Sequence, residues 1–351
     1  MFMSARINRL LILLALGMMM APSFSQTKAG ADSGKPYSIA VFVPGVVQGS
    51  PTYEMMVAGV NAAKTQAAGK NRQITIKVVE GGFNQGEWQK SLLSLAATGE
   101  YDLIVSSNPS LPELAAAVSK DIPQQKFLMV DGFLAGNPRI KTIAFNQYEQ
   151  GYLNGYWAAR ISSSKLAHAN PQFVLGLVAG QEYPVMNNEI LVGFRDGAQA
   201  VNPAFRVDFR VLGNWYDAAK AESLARDLIA NKADVILAIA GGGNQGIIKA
   251  AKDSGAYVTW FDSPGYAAGP GIVIGSTQVL QTKACTDAVL AAVDGKLDYG
   301  TATSLGIKEG AVGFNFDDPA FPPAVPADIV KAEKDLISAV KAGTKTLQPK
   351  P

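Results

Sequence analysis

"LMVDG", residues 128–132, carries an apolar strand into an aspartate that is followed by a small residue. "TWFDS", residues 259–263, repeats this pattern about 130 residues later. Around both stretches, short β-branched runs alternate with longer helical patterns, which is typical of βαβ units and a parallel sheet. Strand candidates run from residue 37 to residue 145 and again from residue 173 to residue 277. The sequence therefore predicts two similar α/β halves.

The strand candidates are nearly continuous apolar runs, which indicates sheets that are buried on both faces. We therefore expect an α/β fold of two doubly wound three-layer (αβα) lobes, joined by a hinge of several chain crossings. Ligands of such sheets bind outside the carboxyl ends of the strands. If the carboxyl ends of the strands of one lobe face those of the other lobe, the side chains of Asp131 and Asp262 point into a shared cleft.

The first residues have the pattern of a secretory signal peptide. Arg6 and Arg9 precede an apolar run from residue 10 to residue 21, and Ser23-Phe24-Ser25 resembles a cleavage site. We predict a signal peptide over residues 1–25 and a flexible polar leader over residues 26–36. A lipid anchor needs a cysteine near residue 26, whereas Cys285 is the only cysteine of the chain. The expected location is the periplasm, without a lipid anchor.

The predicted lobes are built from separated segments. We expect residues 37–145 plus about 270–300 in the N-terminal lobe, and residues 146–269 plus about 301–345 in the C-terminal lobe. A length of this size suggests two domains rather than one.

Composition argues against several functions. The whole sequence has 31 Lys and Arg and 29 Asp and Glu side chains. Removal of residues 1–25 takes away Arg6 and Arg9 and no acidic residue, which leaves 29 basic and 29 acidic side chains. This balance gives no electrostatic reason to bind nucleic acid or an anionic membrane. His168 is the only histidine and is read as a surface residue. We predict no metal, no cofactor, no catalytic residue and no enzymatic activity, and a monomer.

Polar side chains at the predicted strand ends are the candidate ligand-binding residues. Asp131 and Asp262 can accept hydrogen bonds from hydroxyl or ring N–H groups, although a lone Asp-Gly more often caps a turn. Asn108 and Asn244 add amide groups at equivalent strand ends.

A glycine-rich turn and several aromatic residues complete the candidate site. "GGGNQG", residues 241–246, includes Gly242 and offers backbone N–H groups to an oxygen-rich ligand. It lies in the third βαβ unit of its half, which argues against a dinucleotide site. Aromatic rings at the turns would stack on a flat ligand, and the candidates are Tyr53, Phe83, Trp88, Tyr183 and Trp215.

Four stretches resemble the basic membrane protein family. They are "GYLNGYWAA" (151–159), "GFRDGAQAVNP" (193–203), "KADVILAIAGGGNQG" (232–246) and "YVTWFDS" (257–263). The likeness extends in order over most of residues 37–300. It implies a type I periplasmic binding fold that closes on one small molecule without enzymatic activity. It also implies delivery of that molecule to the permease and ATPase of an ABC importer.

The resemblance also suggests the ligand. In that family a purine stacks between aromatic rings, and an aspartate at the position of Asp262 holds ribose hydroxyls. This chain departs from the family at "PGVVQGSPTYE" (44–54), its first turn, and at Gln278 and Val279, where a lysine is expected. A riboflavin-binding branch resembles the first turn better, so we predict riboflavin or a purine nucleoside and favour the former, with Gln278 included in the site. A ligand-sensing receptor protein of the same fold is the alternative.

Overall fold

The structure, a computed structural model, describes residues 35–349. Their strands are β1 (Tyr37–Val43), β2 (Ile74–Glu80), β3 (Leu103–Ser107), β4 (Phe127–Val130), β5 (Ile140–Phe145), β6 (Val174–Ala179), β7 (Arg206–Val211), β8 (Val235–Ile239), β9 (Tyr257–Trp260), β10 (Val273–Val279), β11 (Ala302–Leu305) and β12 (Val312–Phe314). Their helices are α1 (Pro51–Ala68), α2 (Gln85–Ala97), α3 (Leu111–Asp121), α4 (Gln147–Ser162), α5 (Leu191–Val201), α6 (Ala218–Ala230), α7 (Asn244–Ser254), α8 (Gln281–Val293) and α9 (Ala327–Lys341).

The strands form two sheets with the same plan. The order is β11-β5-β4-β3-β1-β2 in the first sheet and β12-β10-β9-β8-β6-β7 in the second. All neighbouring strands are parallel except β12, which runs antiparallel to β10. This confirms the predicted α/β fold of two doubly wound halves. In each half the strand order reverses beside the first strand, which is where such sheets bind ligands.

Both faces of the first sheet are covered, because side chains of a strand alternate between them. Val41 of β1 packs with the helices α1 and α8, and its neighbour Phe42 packs with α2 and α3. The second sheet repeats this arrangement, with α6 and α7 on one face and α4 and α5 on the other. The near-continuous apolar strands are explained by this double burial.

Helices α4 and α5 approach each other more closely than ordinary side chains allow. Gly151 and Gly155 of α4 face Gly193 and Gly197 of α5. A Cβ atom on Gly155 would overlap the carbonyl oxygen of Phe194, and the other three glycines meet backbone atoms of the facing helix in the same way. The four glycines belong to the stretches "GYLNG" and "GFRDG", so those stretches encode a helix pair packed backbone to backbone.

Two strands lie in the opposite sheet from the one that the predicted lobe boundaries imply. The predicted N-terminal lobe contains residues 270–300, but β10 pairs with β9 and β12 in the second sheet. The predicted C-terminal lobe contains residues 301–345, but β11 pairs with β5 in the first sheet. The reason is the repeat itself: β10 is the counterpart of β5, so the chain crosses over only after it. The lobe limits stay a prediction.

The other predicted segments are partly outside the structure. The signal peptide, residues 1–25, and residues 26–34 of the leader lie outside the described residues. Between residues 35 and 349, no helix is long and apolar enough to cross a membrane.

Lys141 ties the late strand β11 to the first sheet. Its side chain is only 5% exposed, and its ammonium group pairs with Asp298 at 3.1 Å. The same group donates to the hydroxyl oxygens of Thr301 and Thr303, each at 2.7 Å. One buried cation therefore holds three polar side chains of the returning segment.

Replacing Lys141 with methionine is expected to lower the free energy of unfolding by about 2 kcal/mol, because Asp298, Thr301 and Thr303 lose the hydrogen bonds that the buried ammonium group donates to them. The measurement is chemical denaturation of the full chain. The control is Lys331→Met, because Lys331 is 75% exposed and its pair with Asp335 lies on the surface. That change should cost no more than about 0.5 kcal/mol. Equal losses in the two variants would contradict the prediction.

Candidate functional site

Two aspartates stand at equivalent strand ends. Asp131 follows β4 in the first sheet and Asp262 follows β9 in the second. Both have left-handed backbone conformations, with φ of +58° and +67°. Such a conformation is uncommon for residues other than glycine, and it aims a side chain out of the line of the strand. The same unusual geometry at both positions supports the reading of the two halves as a repeat.

The two carboxyl groups lie close enough to affect each other. Burial, followed by the negative charge of Asp262, raises the pKa of Asp131 to about 8. Burial also raises the pKa of Asp262 to about 6. Near neutral pH these values favour a protonated Asp131 and an ionised Asp262, because burial and a neighbouring negative charge both disfavour a second charge. One member comes from each sheet, as the sequence predicts for a shared cleft.

Helix α4 holds both carboxyl groups. Gln147 Nε2 donates to Asp131 Oδ1 at 3.3 Å, and Gln150 Nε2 donates to Asp262 Oδ1 at 3.1 Å. A spacing of three places the two glutamines on one face of the helix. A single rigid element therefore sets the positions of the aspartates of both sheets.

A buried polar layer lies behind this pair. Gln150 and Asn154 are both fully buried, and their amide nitrogens donate to Thr277 Oγ1 at 3.3 and 3.2 Å. Asn154 also donates to the carbonyl oxygen of Trp260 at 2.9 Å. No sequence pattern described above pointed to Gln147, Gln150, Asn154 or Thr277 as part of the site. The available signal was the spacing of three amide side chains, Gln147, Gln150 and Asn154, along one face of α4.

Beside the first sheet, Tyr53 of α1 and Asn108, which follows β3, lie near Asp131. Asn108 Nδ2 donates to the hydroxyl oxygen of Tyr53 at 3.4 Å, and that hydroxyl donates to the carbonyl oxygen of Pro44 at 3.0 Å. Burial, together with the negative charge of Asp131 and against the hydrogen bond from Asn108, raises the pKa of Tyr53 to about 12. Phe83 lies at the adjoining turn and is 68% exposed.

Beside the second sheet, Tyr183 in the loop after β6 and Trp215 in the loop after β7 form an aromatic pair. Their ring centroids are 6.4 Å apart, with an angle of 45° between the ring planes. Burial, and then the charges of Asp131 and Asp262, raises the pKa of Tyr183, so its ring lies near both carboxyl groups. The indole lies directly over Gly180, where a Cβ atom would overlap it, and Gly242 donates to the carbonyl oxygen of Trp215 at 2.8 Å.

Gln278 lies beside Asp262. Both line an open cavity of about 630 Å³, which is also bounded by residues of α1 and α8. The structure thus brings together most of the predicted site residues around the two carboxyl groups, with Gln278 and Phe83 at the edges.

Two of the predicted ligand-binding residues, Trp88 and Asn244, form buried hydrogen bonds with the backbone instead. Trp88 is only 4% exposed, packs in the core beneath α2, and donates its indole N–H to the carbonyl oxygen of Gly82 at 2.8 Å. Asn244 is buried, and its Oδ1 accepts a hydrogen bond from the backbone N–H of Ala240 at 2.8 Å. Trp88 lies in the first turn of α2 and Asn244 is the first residue of α7, and each side chain hydrogen-bonds to the backbone just before its helix. Within residues 35–349, no three His, Cys, Asp or Glu side chains are grouped to hold a metal.

The raised pKa values predict a pH dependence of stability. A carboxyl whose folded-state pKa lies above its ordinary value of about 4 stabilises the protein when protonated, and this stabilisation is lost as the pH rises through the folded-state pKa. For Asp131 and Asp262 those values are about 8 and about 6. We therefore expect the melting temperature of the unliganded protein to fall between about pH 4, the ordinary carboxyl pKa, and about pH 8, the folded-state pKa of Asp131.

The Asp131→Asn variant should flatten that fall. Asparagine tolerates the left-handed conformation and cannot ionise. Thermal melts of both proteins across this pH range test the prediction. Identical slopes would show that the dependence comes from other groups.

Comparisons with known proteins agree with this architecture. Residues 37–345 match the family described as ABC transporter substrate-binding protein PnrA-like. Basic membrane protein A of Borreliella afzelii is 24% identical over 323 residues, which cover 89% of this chain and 91% of that protein.

Other relatives match over shorter regions. A CD4+ T-cell-stimulating antigen of Listeria monocytogenes is 27% identical over 164 residues, 47% of this chain and 43% of that protein. The ABC transporter nucleoside-binding protein BmpA of Lactococcus lactis is 26% identical over 152 residues, 43% of this chain and 41% of that protein. The chain thus spans less than half the length of these two relatives.

Solved structures share the fold. An ABC transporter solute-binding protein of Aeropyrum pernix superposes with a TM-score of 0.74 at 20% identity, covering 90% of this chain and 94% of that one. A transcriptional activator of the comK gene from Bacillus halodurans superposes with a TM-score of 0.68 at 19% identity, covering 89% and 100%.

Proposed function

Because this chain belongs to the PnrA-like family of ABC transporter substrate-binding proteins, we propose that its cleft captures a flat heteroaromatic ligand with a sugar or polyol part. Riboflavin and purine nucleosides are the two candidates. The family binds and delivers substrates and is not a family of enzymes, which confirms the prediction of no enzymatic activity. We also propose that this chain acts as a free monomer in the periplasm and delivers its ligand to an importer permease and ATPase.

The observation that carries the proposal is the opposed pair of Asp131 and Asp262, held from α4 by Gln147 and Gln150. Carboxylates at the carboxyl ends of strands accept hydrogen bonds from neighbouring hydroxyl groups of a sugar or polyol. Since one carboxyl comes from each sheet, a ligand that bonds to both draws the two halves together.

The aromatic side chains support the flat part of the ligand. Tyr183 and Trp215 lie beside the carboxyl pair in the second sheet, and Tyr53 lies beside it in the first. Aromatic rings stack on heterocycles with about 1 to 3 kcal/mol per ring, and the stacking tolerates different bases. This agrees with a nucleoside-binding relative, the BmpA protein of Lactococcus lactis.

The test is direct identification of the ligand. Protein purified without added ligand is denatured, and the released small molecules are examined by absorbance and mass spectrometry. Riboflavin would show visible absorption, and a purine nucleoside only ultraviolet absorption. Calorimetric titration of the emptied protein with riboflavin and with adenosine then measures affinity. Release of a sugar, a peptide or a metal, without affinity for either compound, would overturn the proposal.

A further inference from the structure

Glu333 is a buried carboxyl that takes no part in the cleft. It lies in the middle of α9, its side chain is fully buried, and neither of its oxygens has a hydrogen-bond partner within residues 35–349. A buried polar group without a partner is destabilising, and such groups are few in folded proteins. This carboxyl therefore calls for a physical explanation.

Arg160 of α4 carries the complementary unpaired group. Its Nε is buried and has no hydrogen-bond partner in the described part of the chain, while its Nη2 donates to the hydroxyl oxygen of Tyr156 at 2.7 Å. Burial, against the positive charge of Arg160, raises the pKa of Glu333 well above its usual range. The guanidinium group is therefore near enough to act on the carboxyl, yet no hydrogen bond joins these two described side chains.

The surroundings of Glu333 offer it no other cation. The other described groups whose pKa responds to the charge of Glu333 are Tyr152 of α4 and Tyr266, and burial raises the pKa of both. Neither tyrosine can supply a positive charge. Arg160 is therefore the partner that an ionised Glu333 would take.

Both residues lie on helices that pass from one half of the molecule to the other. Helix α4 packs Leu153 into the core of the first sheet and Ile161 into the core of the second. Helix α9 runs the opposite way, with Ile329 in the second core and Leu336 and Val340 in the first. The two helices contact each other. A rotation of one half against the other therefore changes how α4 and α9 cross.

The chain after α9 fixes the end of this helix to the first half. Leu347 is buried in the first core, and the hydroxyl of Tyr148 donates to the carbonyl oxygen of Gln348 at 2.7 Å. Helix α9 is thus held at both ends, by the second core at its start and by the first core at its end. Movement of the halves must be taken up between these ends, where Glu333 lies.

The geometry points to a hinge switch made of Glu333 and Arg160, whose side chains are apart in this arrangement of the halves and join as an ion pair in a second arrangement. In the present arrangement the charge of Asp262 acts on Asp131 across the cleft, so the halves are close together. The ion pair therefore belongs to an arrangement in which the halves stand further apart. A carboxylate bonded to a guanidinium satisfies both groups and stabilises that second state. The switch goes beyond the proposed function, because it operates whichever ligand the cleft takes.

The experiment measures the distance between the halves in the unliganded full-length protein. Lys90→Cys on α2 and Lys252→Cys on α7 place one spin label on an exposed position of each half. Cys285 is fully buried and does not take a label. Pulsed electron paramagnetic resonance then gives the populations of shorter and longer distances between the labels. We expect to find both populations when Glu333 and Arg160 are present.

Three variants of the labelled protein test whether the ion pair stabilises the longer distance. Glu333→Met removes both acceptor oxygens, and the ratio of the longer to the shorter population should fall at least about fivefold. Arg160→Met should lower the ratio equally, and the double variant should lower it no further, because each change removes the same bond. The control Lys331→Met changes a side chain of α9 that is 75% exposed and should leave the ratio unchanged.

Glu333→Met also carries its own test of folding. An apolar side chain of similar length replaces a buried carboxyl that has no partner within residues 35–349, so the melting temperature should stay the same or rise. A fall in the population ratio together with such a melting temperature cannot come from partial unfolding.

The outcomes decide the switch independently of the ligand. A single distance in the protein with native Glu333 and Arg160, or an unchanged ratio in Glu333→Met, would overturn it. An effect of Glu333→Met that Arg160→Met does not reproduce, or that the double variant extends, would also overturn it, because Arg160 would not be the partner. Loss of the switch would leave the proposed function standing, and failure of riboflavin and adenosine to bind would leave the switch standing.

Discussion

Replacing Asp262 with asparagine is expected to weaken binding of riboflavin or adenosine, whichever the protein takes, by about 30-fold or more. The change keeps one oxygen, which can still accept the hydrogen bond that Gln150 Nε2 donates to Asp262 Oδ1 at 3.1 Å, but replaces the negative charge and the second acceptor oxygen with an amide nitrogen. Hydrogen bonds to charged groups are worth about 1.5 to 3 kcal/mol, and the new N–H group cannot accept a hydrogen bond from the ligand.

The same variant should fold at least as well as the wild type. Asparagine tolerates the φ of +67° at this position, and the change removes a carboxyl whose ionised form is disfavoured by burial. The measurement is calorimetric titration together with a thermal melt of the unliganded protein. A loss of affinity with an unchanged or higher melting temperature supports a direct role in binding.

The matched control is Asp335→Asn. Asp335 is 63% exposed on α9 and pairs with Lys331, so the control makes the same chemical change away from the cleft. We expect no change in affinity. If Asp262→Asn binds as tightly as this control, the carboxyl pair does not hold the ligand.

Replacing Gly155 with alanine is expected to lower the free energy of unfolding by about 3 kcal/mol or more, the largest loss of stability among the single changes considered. The new methyl group would overlap the carbonyl oxygen of Phe194 on the facing helix. A backbone atom cannot rotate away as the end of a side chain does, so α4 and α5 have to move apart. That movement opens the core that lies between them and the second sheet.

The same substitution in another helix separates packing from helix propensity. Gly86 lies near the start of α2, and a Cβ atom there would only touch the side chain of Asn84 at 3.4 Å. Alanine is the better helix former, so Gly86→Ala should leave stability unchanged or raise it by up to about 1 kcal/mol. Chemical denaturation measures both variants. Similar effects at the two positions would mean that the helices tolerate separation.

Gly155→Ala also bears on the site, because α4 carries the amides that hold both aspartates. A shift of α4 away from α5 displaces Gln147 and Gln150 together. We expect ligand affinity to fall in this variant even at temperatures where it stays folded. Small errors in the placement of polar groups weaken a site without changing its chemistry.

Much of the architecture followed from local patterns. The apolar runs and the helical spacing between them predicted the order of strands and helices through both halves, because burial on two faces requires continuous apolar strands. The same logic placed Asp131 and Asp262 at strand ends, where parallel sheets bind ligands. Tyr53, Asn108, Tyr183 and Trp215 were predicted to contact ligand for the same reason, and that role stays a prediction.

Other features required the folded chain. Trp88 and Asn244 were predicted to contact ligand, but they lie in the first turns of α2 and α7, and their side chains bond to backbone groups just before those helices. Gln147 and Gln150 looked like ordinary helix residues until packing set them against carboxyl groups from two different sheets. The folded chain was also needed to show that β10 belongs to the second sheet and β11 to the first, which is the reverse of what the predicted lobe boundaries imply.

By itself, then, the sequence determined the two α/β halves and the strand-end aspartates, because hydrophobic period and turn residues act over a few neighbours along the chain. Only the tertiary structure decided which groups surround those aspartates and which strand completes each sheet. Those choices depend on contacts between segments about 100 or more residues apart, such as Gln150 with Asp262. Packing of whole elements brings such segments together, and no local pattern records it.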